Sequence, residues 1–178
     1  NAPIVKDIYG GIIDILMKEQ NIDKAIEFLK HSLQNIVDEK YPIDKLIITK
    51  SLSSHYKNPN AIAHKVLADR ITARDPGNKP SSGDRIPYVY IHNSAKKALQ
   101  GEKIETPTYV IENKVKIDYS FYISNQIMKP VQQIFALVLE EIWKRSNKLN
   151  KLKKFNQEVE SIRKTIEEDK FEDKIDKL

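Results

Sequence analysis

A chain of 178 residues with 40% hydrophobic and 31% charged side chains suits one good-sized domain or two small ones, with room for a substantial core. Cysteine is absent, which excludes disulfides, thiol nucleophiles and thiolate metal sites and fits an intracellular protein. No apolar run approaches the roughly 18 residues that suggest a spanning helix, and no secretory leader pattern opens the chain, which begins at Asn1 and is expected to be a fragment or a processed product.

Taken in order, Asn1 is placed to cap a first helix with Pro3 in its first turn. Ile4, Ile8, Ile12, Ile15 and Leu16 give a helical stripe. Gly10 and Gly11 interrupt it and imply a close packing contact, since each costs roughly 1 kcal/mol in a helix interior. A second helix starts at Asn21–Asp23, turns Ala25, Ile26, Leu29, Leu33, Ile36 and Val37 to one face, and is expected to end at Pro42. The two read as a hairpin.

LIITK, 46–50, reads as a short buried strand, followed by a polar loop. Asn60 is the expected N-cap of a helix whose apolar face is Ile62, Val66, Leu67 and Ile71, with His64, Lys65, Arg70 and Arg74 on other faces. DPGNKPSSGD, 75–84, has the glycines and prolines of a turn-rich loop, and RIPYVYIH returns as a strand. SAKKALQG, 94–101, suits a helical turn or two capped by Ser94 and closed by Gly101. TPTYVIEN, 106–113, suits a short edge strand that tolerates Pro107. Asp118 opens the strongest helix, running past Trp143 and expected to kink or break near Met128–Lys129, before Pro130. The charge-dense tail 146–178 is expected to be helical or mobile.

The net charge of +5 is uneven. Residues 1–43 carry −2, residues 44–103 carry +6, and residues 104–178 carry +1. A local cationic surface favours a polyanion, because each neutralised phosphate releases condensed counterions. A basic helix and loop held over a strand fit that role, and they also fit an ordinary solvated face. A membrane surface is a weaker fit, because no strongly amphipathic basic helix accompanies the charge. Catalytic motifs are missing. The four histidines make no metal-binding pair, no phosphate loop or nucleophile elbow occurs, and Asp75 and Asp84 are isolated acceptors flanking a turn. No catalytic and no metal-ligating residue is therefore expected.

Three blocks carry a resemblance: ITKSL at 48–52, AHKVLADRITARDPGNKPSSGDRIPYVYI at 63–91 and IDYSFYISNQIMKPVQQIF at 117–135. In order and spacing they resemble the thumb region of family B DNA polymerases, delta-type enzymes of eukaryotes and large DNA viruses above all. NAPIVKDIYG is similar to the segment after the last catalytic motif of the palm. The resemblance reaches to about residue 143.

It implies a mainly α fold with a small β element, α+β. Residues 1–43 would be a palm-to-thumb helical hairpin, 44–145 the thumb core and 146–178 the tail. It also implies sequence-independent binding of primer–template duplex through phosphate contacts from His64, Lys65, Arg70, Arg74, Lys79, Ser81, Ser82 and Arg85, with the N–H groups of Gly77 and Gly83 as neutral donors. Arg70 and Arg74 would form a continuous basic edge, and Arg85 has the alternative of pairing with Asp84 or Asp75.

The parent is implied to be a DNA-directed DNA polymerase, with Mg2+ in its palm and no cofactor in this stretch. Its partners would be the DNA, the palm and exonuclease domains and a processivity factor, in the nucleus or a viral replication compartment. Delta-type enzymes follow the thumb with two cysteine-rich metal modules, and the Lys/Glu-rich tail stands in their place. A free-standing nucleic-acid-binding module and a polymerase-accessory module remain the alternatives.

Overall fold

The structure is a computed structural model and describes residues 1–146 and 149–167. It is mainly helical, with one three-stranded antiparallel sheet, as the α+β reading expects. The chain divides into two compact units, one of residues 1–3 and 43–118, the other of residues 4–42 and 119–178. One of these limits, at 42/43, falls within a residue of the 43/44 division drawn from the sequence.

The described residues of the second unit form helices joined by short turns, with no strand among them. Helix α1, Pro3–Asp14, buries Ile4, Val5, Ile8 and Ile12 and widens into a π turn, Ile15–Glu19. Gln20 ends it in the left-handed region, and Asn21 Oδ1 accepts from Lys24 N to start α2, Ile22–Val37. The glycine pair does not break α1. A Cβ on Gly11 would lie 2.4 Å from the ring tip of Phe28, so the expected close contact is there, whereas Gly10 faces open space. Helix α2 buries Ala25, Ile26, Leu29, Leu33 and Ile36, each large side chain worth about 1.5–3 kcal/mol. It stops before Pro42. Glu39 at φ 56° turns the chain, and Asp38 N and Lys40 N donate to Gln34 O and Asn35 O, satisfying the last carbonyls as a left-handed cap does.

The C-terminal helices of the same unit begin with a single turn, Tyr119–Phe121, pass through a π segment, Tyr122–Ile127, and continue as the long helix Met128–Ser146. The irregularity falls where Pro130 places it. The chain absorbs the missing N–H by widening the preceding turn, not by breaking, a usual cause of such bulges. A further helix, Leu149–Glu167, packs on the long one, with the Phe135 and Phe155 rings 4.8 Å apart and Val159 and Ile162 buried. Lys30 Nζ reaches Glu158 at 3.3 Å. The expected helical tail is thus observed as far as Glu167, and residues 168–178 lie outside the described part.

The first unit holds the sheet. Strand β1, Ile48–Ser51, pairs with β2, Arg85–Tyr90, and β2 pairs with β3, Ile104–Glu105. The register sets Ile48 opposite Tyr88, Ser51 opposite Arg85 and Val89 opposite Glu105. Pro87 is tolerated in the middle strand because β3 pairs only with Val89 and Tyr90. Helix α3, Ala63–Arg74, lies against this sheet with Leu67 and Ala68 buried. The core is completed by Leu46, Leu52, Ile86, Tyr88, Val89, Ile104 and Val110.

Four local expectations are corrected here. Asn60 does not cap α3. It sits in a 3-10 turn, Pro59–Ala61, and Ile62 is the cap residue with no side-chain cap bond. The first strand starts two residues late, because Leu46 closes a 3-10 turn through its N–H to Ile43 O. Residues 94–101 form no α-helix. The 3-10 turn there is Gln100–Lys103, and Gly101 is buried because a Cβ would meet Val66 at 2.5 Å. Residues 106–113 are helix α4, Pro107–Asn113, not strand. Thr106 Oγ1 accepts from Tyr109 N, and Pro107 takes the first turn, where its missing N–H is an asset.

Candidate nucleic-acid interface

All eight candidate residues belong to the first unit, and they divide by what their side chains touch. Arg70 and Arg74 lie one turn apart on α3, in line as their four-residue spacing requires. Both turn inward. Arg74 Nη1 and Nη2 donate to the two carboxylate oxygens of Glu105 at 2.7 and 2.9 Å, a bidentate pair of the strong kind. The guanidinium also lies 3.7 Å over the Tyr109 ring. Hydrogen bonding to Glu105 raises the Arg74 pKa above its ordinary value, against a smaller opposing effect of burial.

Arg70 donates from both terminal nitrogens to Gly101 O at 3.1 Å, and from Nη2 to Ile104 O at 2.6 Å. Its Nε sits 3.3 Å from Glu105 Oε2 as an ion pair whose geometry falls short of a hydrogen bond. Glu105 itself is 3% exposed and also accepts from Thr106 N. The basic edge expected along α3 therefore exists as geometry, but its charge is engaged inside the unit. Glu105 is the residue that sequence reasoning missed. A lone carboxylate 31 positions from Arg74 carries no local signal; only the β2–β3 register brings it under α3.

Of the other candidates, Lys79, Ser81, Ser82 and Arg85 are exposed, while His64 and Lys65 are half-buried. A chain of bonds links three segments at the end of the β1–β2 pair: Gly83 N donates to Leu52 O and Leu52 N to Asp84 O, both at 2.8 Å. Ser53 N donates to the Tyr56 hydroxyl at 2.7 Å, and that hydroxyl is 3.2 Å from His64 Nε2. The Gly83 N–H is therefore occupied and is no free donor, which corrects the expectation. Gly83 holds φ 90°, a conformation that favours glycine. Asp84 Oδ2 accepts from Ser81 N and Asp75 accepts from Asn78, so both aspartates are turn acceptors as expected.

Lys79, Ser81 and Ser82 are exposed on this loop. Arg85 pairs with neither aspartate. It donates to Thr49 Oγ1 at 2.8 Å and Ser51 Oγ at 3.2 Å across the strand pair, and it makes no ion pair among the described residues. Lys65 shares its charge with Asp69 at 2.8 Å on the helix surface. Burial holds the His64 pKa below its ordinary value of 6.5; a hydrogen bond to the Ser51 backbone opposes this and the Lys50 charge adds to it. Lys50, inside the quoted ITKSL block, is exposed and was not among the candidates.

Among the described residues no three His, Cys, Asp or Glu side chains converge as a metal site would require. The described residues therefore offer no set of ligands that fits Mg2+. No described helix is long and apolar enough to cross a membrane.

An antiparallel sheet backed by α3, with bundled helices in a separate unit, defines a fold met in polymerases. The family model for DNA polymerase family B matches residues 1–138, and the chain belongs to that family. It is 57% identical over 148 residues to a DNA polymerase of Pyramimonas orientalis virus, covering 82% of this chain and 12% of that protein. It is 53% identical over 145 residues to the DNA polymerase of Acanthamoeba polyphaga mimivirus, covering 79% of this chain and 8% of that protein. To the DNA polymerase delta catalytic subunit of Candida albicans it is 34% identical over 141 residues, covering 79% and 13%.

Among solved structures it is similar to the family B DNA polymerase of the archaeon Pyrobaculum calidifontis. The TM-score is 0.57 over 72% of this chain and 17% of that one, and at 22% identity the likeness bears on the fold alone. The chain thus spans between 8% and 13% of the length of these curated relatives.

Proposed function

We propose that this chain forms the thumb of a DNA-directed DNA polymerase and grips the duplex primer–template behind the site of synthesis. The observation that carries this reading is the division of its cations. Arg70 and Arg74 are held within the unit by Glu105 and the Gly101 and Ile104 carbonyls, while Lys79 and Arg85 make no ion pair among the described residues and are exposed, as Ser81 and Ser82 are, where the loop, the 52–56 segment and the start of α3 are tied together.

Lys79, Arg85, Ser81 and Ser82 contact phosphates directly, with Lys50 added to the set. Lys65 joins by exchanging Asp69 for a phosphate, since an exposed pair of that kind is worth only ~0–1 kcal/mol. His64 is neutral at neutral pH and takes part as a hydrogen-bonding group. Arg70 and Arg74 act from behind, fixing the last turns of α3 from which the loop departs. Contacts to phosphate position the duplex and carry no base preference, as copying any template requires. The chemistry and its divalent metal belong to the remainder of the polymerase, and the setting is wherever DNA is replicated, a nucleus or a viral replication compartment. A processivity factor remains an expectation without a surface assigned to it.

Lys79→Ala with Arg85→Ala is expected to weaken binding of primer–template and to flatten its salt dependence by about two units of slope. The reading fails if this pair leaves duplex affinity unchanged while the fold is intact by circular dichroism.

A further inference from the structure

A second cationic surface lies at the other end of β2. The strand continues past Tyr90 through Ile91, which bridges to Ile117, to His92, whose N–H donates to Lys116 O at 2.9 Å. Ile91 N donates to Lys103 O at 2.9 Å. These bonds bring together two segments distant in sequence, 92–103 and 114–117. Between them they carry Lys96, Lys97, Lys103, Lys114 and Lys116.

The nearby carboxylates are fewer: Glu102, Glu112 and Asp118. Glu102 is occupied, its Oε2 accepting from Leu99 N at 3.0 Å. Lys96, Lys97 and Lys114 are exposed and make no ion pair among the described residues. Between the two ends of β2, opposite Val89, sits the buried Glu105 with Arg70 and Arg74. Open positive charge therefore lies at both ends of one strand, with an internally bonded cluster in the middle.

We infer that the surface around Lys96 and Lys97 is a second phosphate-binding site for the same duplex, set apart from the Lys79–Arg85 end by the extended path from Arg85 through β2 and Ile91 to His92. This inference rests on the thumb reading and deepens it. From Arg85 to His92 is seven strand steps of about 3.3 Å, or about 23 Å. Duplex DNA rises about 3.4 Å per base pair, so the two ends meet phosphates six or seven base pairs apart. A duplex much shorter than that reaches one end only.

The test uses the 178-residue chain and two duplex stems of about 5 and about 14 base pairs, each closed by an uncharged glycol linker. On the rise above, the short stem spans about 17 Å and cannot bridge the two ends. Lys96→Gln with Lys97→Gln is expected to bind the short stem within about twofold of the unaltered chain. On the long stem its affinity drops and its salt slope is shallower by about 1.8, at about 0.9 per phosphate contact. Between 50 and 200 mM salt the unaltered chain then loses about tenfold more affinity than the variant. Lys79→Gln weakens binding to both stems. Equal effects of the Lys96/Lys97 change on both stems, or none on the long one, overturn the second site and leave the thumb reading standing. Failure of the unaltered chain to bind either stem overturns both.

Discussion

Replacing Arg74 by alanine tests whether its charge is turned inward. Two hydrogen bonds to Glu105, at 2.7 and 2.9 Å, disappear, together with the stack over Tyr109. Glu105 stays 3% exposed and keeps Thr106 N and the Arg70 ion pair at 3.3 Å. Breaking a buried pair outright costs about 3–5 kcal/mol, because it strands the remaining charge. Arg70 remains, and Arg74 is 35% exposed, so solvent screening brings the expected loss to about 2–3 kcal/mol. The cation–π contact contributes about 0.5–1 kcal/mol of that. In urea the midpoint should fall by roughly 1–2 M at unchanged slope. Lysine at position 74 should not restore it, because a single ammonium cannot form the bidentate pair. Lys79→Ala, on an exposed loop, should stay within about 0.5 kcal/mol. Arg74→Ala within about 0.5 kcal/mol of the unaltered chain, joined to a large loss of duplex binding, would refute the inward reading and restore Arg74 as a direct DNA contact.

The glycine pair of α1 should respond in opposite directions. Gly10→Ala, into open space, should stabilise by up to about 1 kcal/mol, whereas Gly11→Ala meets the Phe28 ring and should destabilise by about 1–3 kcal/mol in the same urea titration. Thr106→Ala removes the cap of α4 and should cost about 1 kcal/mol. His64 gives a pH dependence. Its folded pKa lies below 6.5, so the unfolded chain takes up the proton first and stability rises with pH. The contribution is fully present above the unfolded value and is lost as pH falls through about 6.5 and below. His64→Gln should remove that part of the slope between about pH 7 and 5, and an unchanged profile would show that His64 is not desolvated.

What the sequence made legible follows from how local each signal is. The stripes of α1, α2 and the long C-terminal helix are periodic and appeared where expected, and the Gly11 contact was implied by a residue that is costly in a helix. Helix α4 was misread because Thr-Pro is both an edge-strand opening and a helix N-terminus; the capping bond from Tyr109 N to Thr106 decides between them. Asn60 has the right chemistry for a cap, but Pro59 draws it into a separate turn. The phrase from Arg74 to Val89 was distinctive enough to show the family, yet the direction of its arginines was not readable. That direction depends on Glu105, which only the pairing of Val89 with Glu105 brings within reach. The β1 contribution to the surface, through Thr49, Lys50 and Ser51, was hidden for the same reason: register across a sheet leaves no trace in either strand alone.

The central claim is that this chain holds duplex DNA by its backbone charge. The most direct measurement is the affinity of the 178-residue chain for labelled primer–template, by fluorescence anisotropy from 50 to 200 mM salt, on several unrelated sequences. With about four phosphate contacts at the Lys79–Arg85 end, log K should fall with log salt at a slope of roughly −3 to −4, steeper by about two where the second end engages. At the lower figure that is about a sixtyfold loss across the range, alike for every sequence. An affinity that does not change with salt, or one that differs strongly between unrelated duplexes as base-edge readout would produce, would contradict the account.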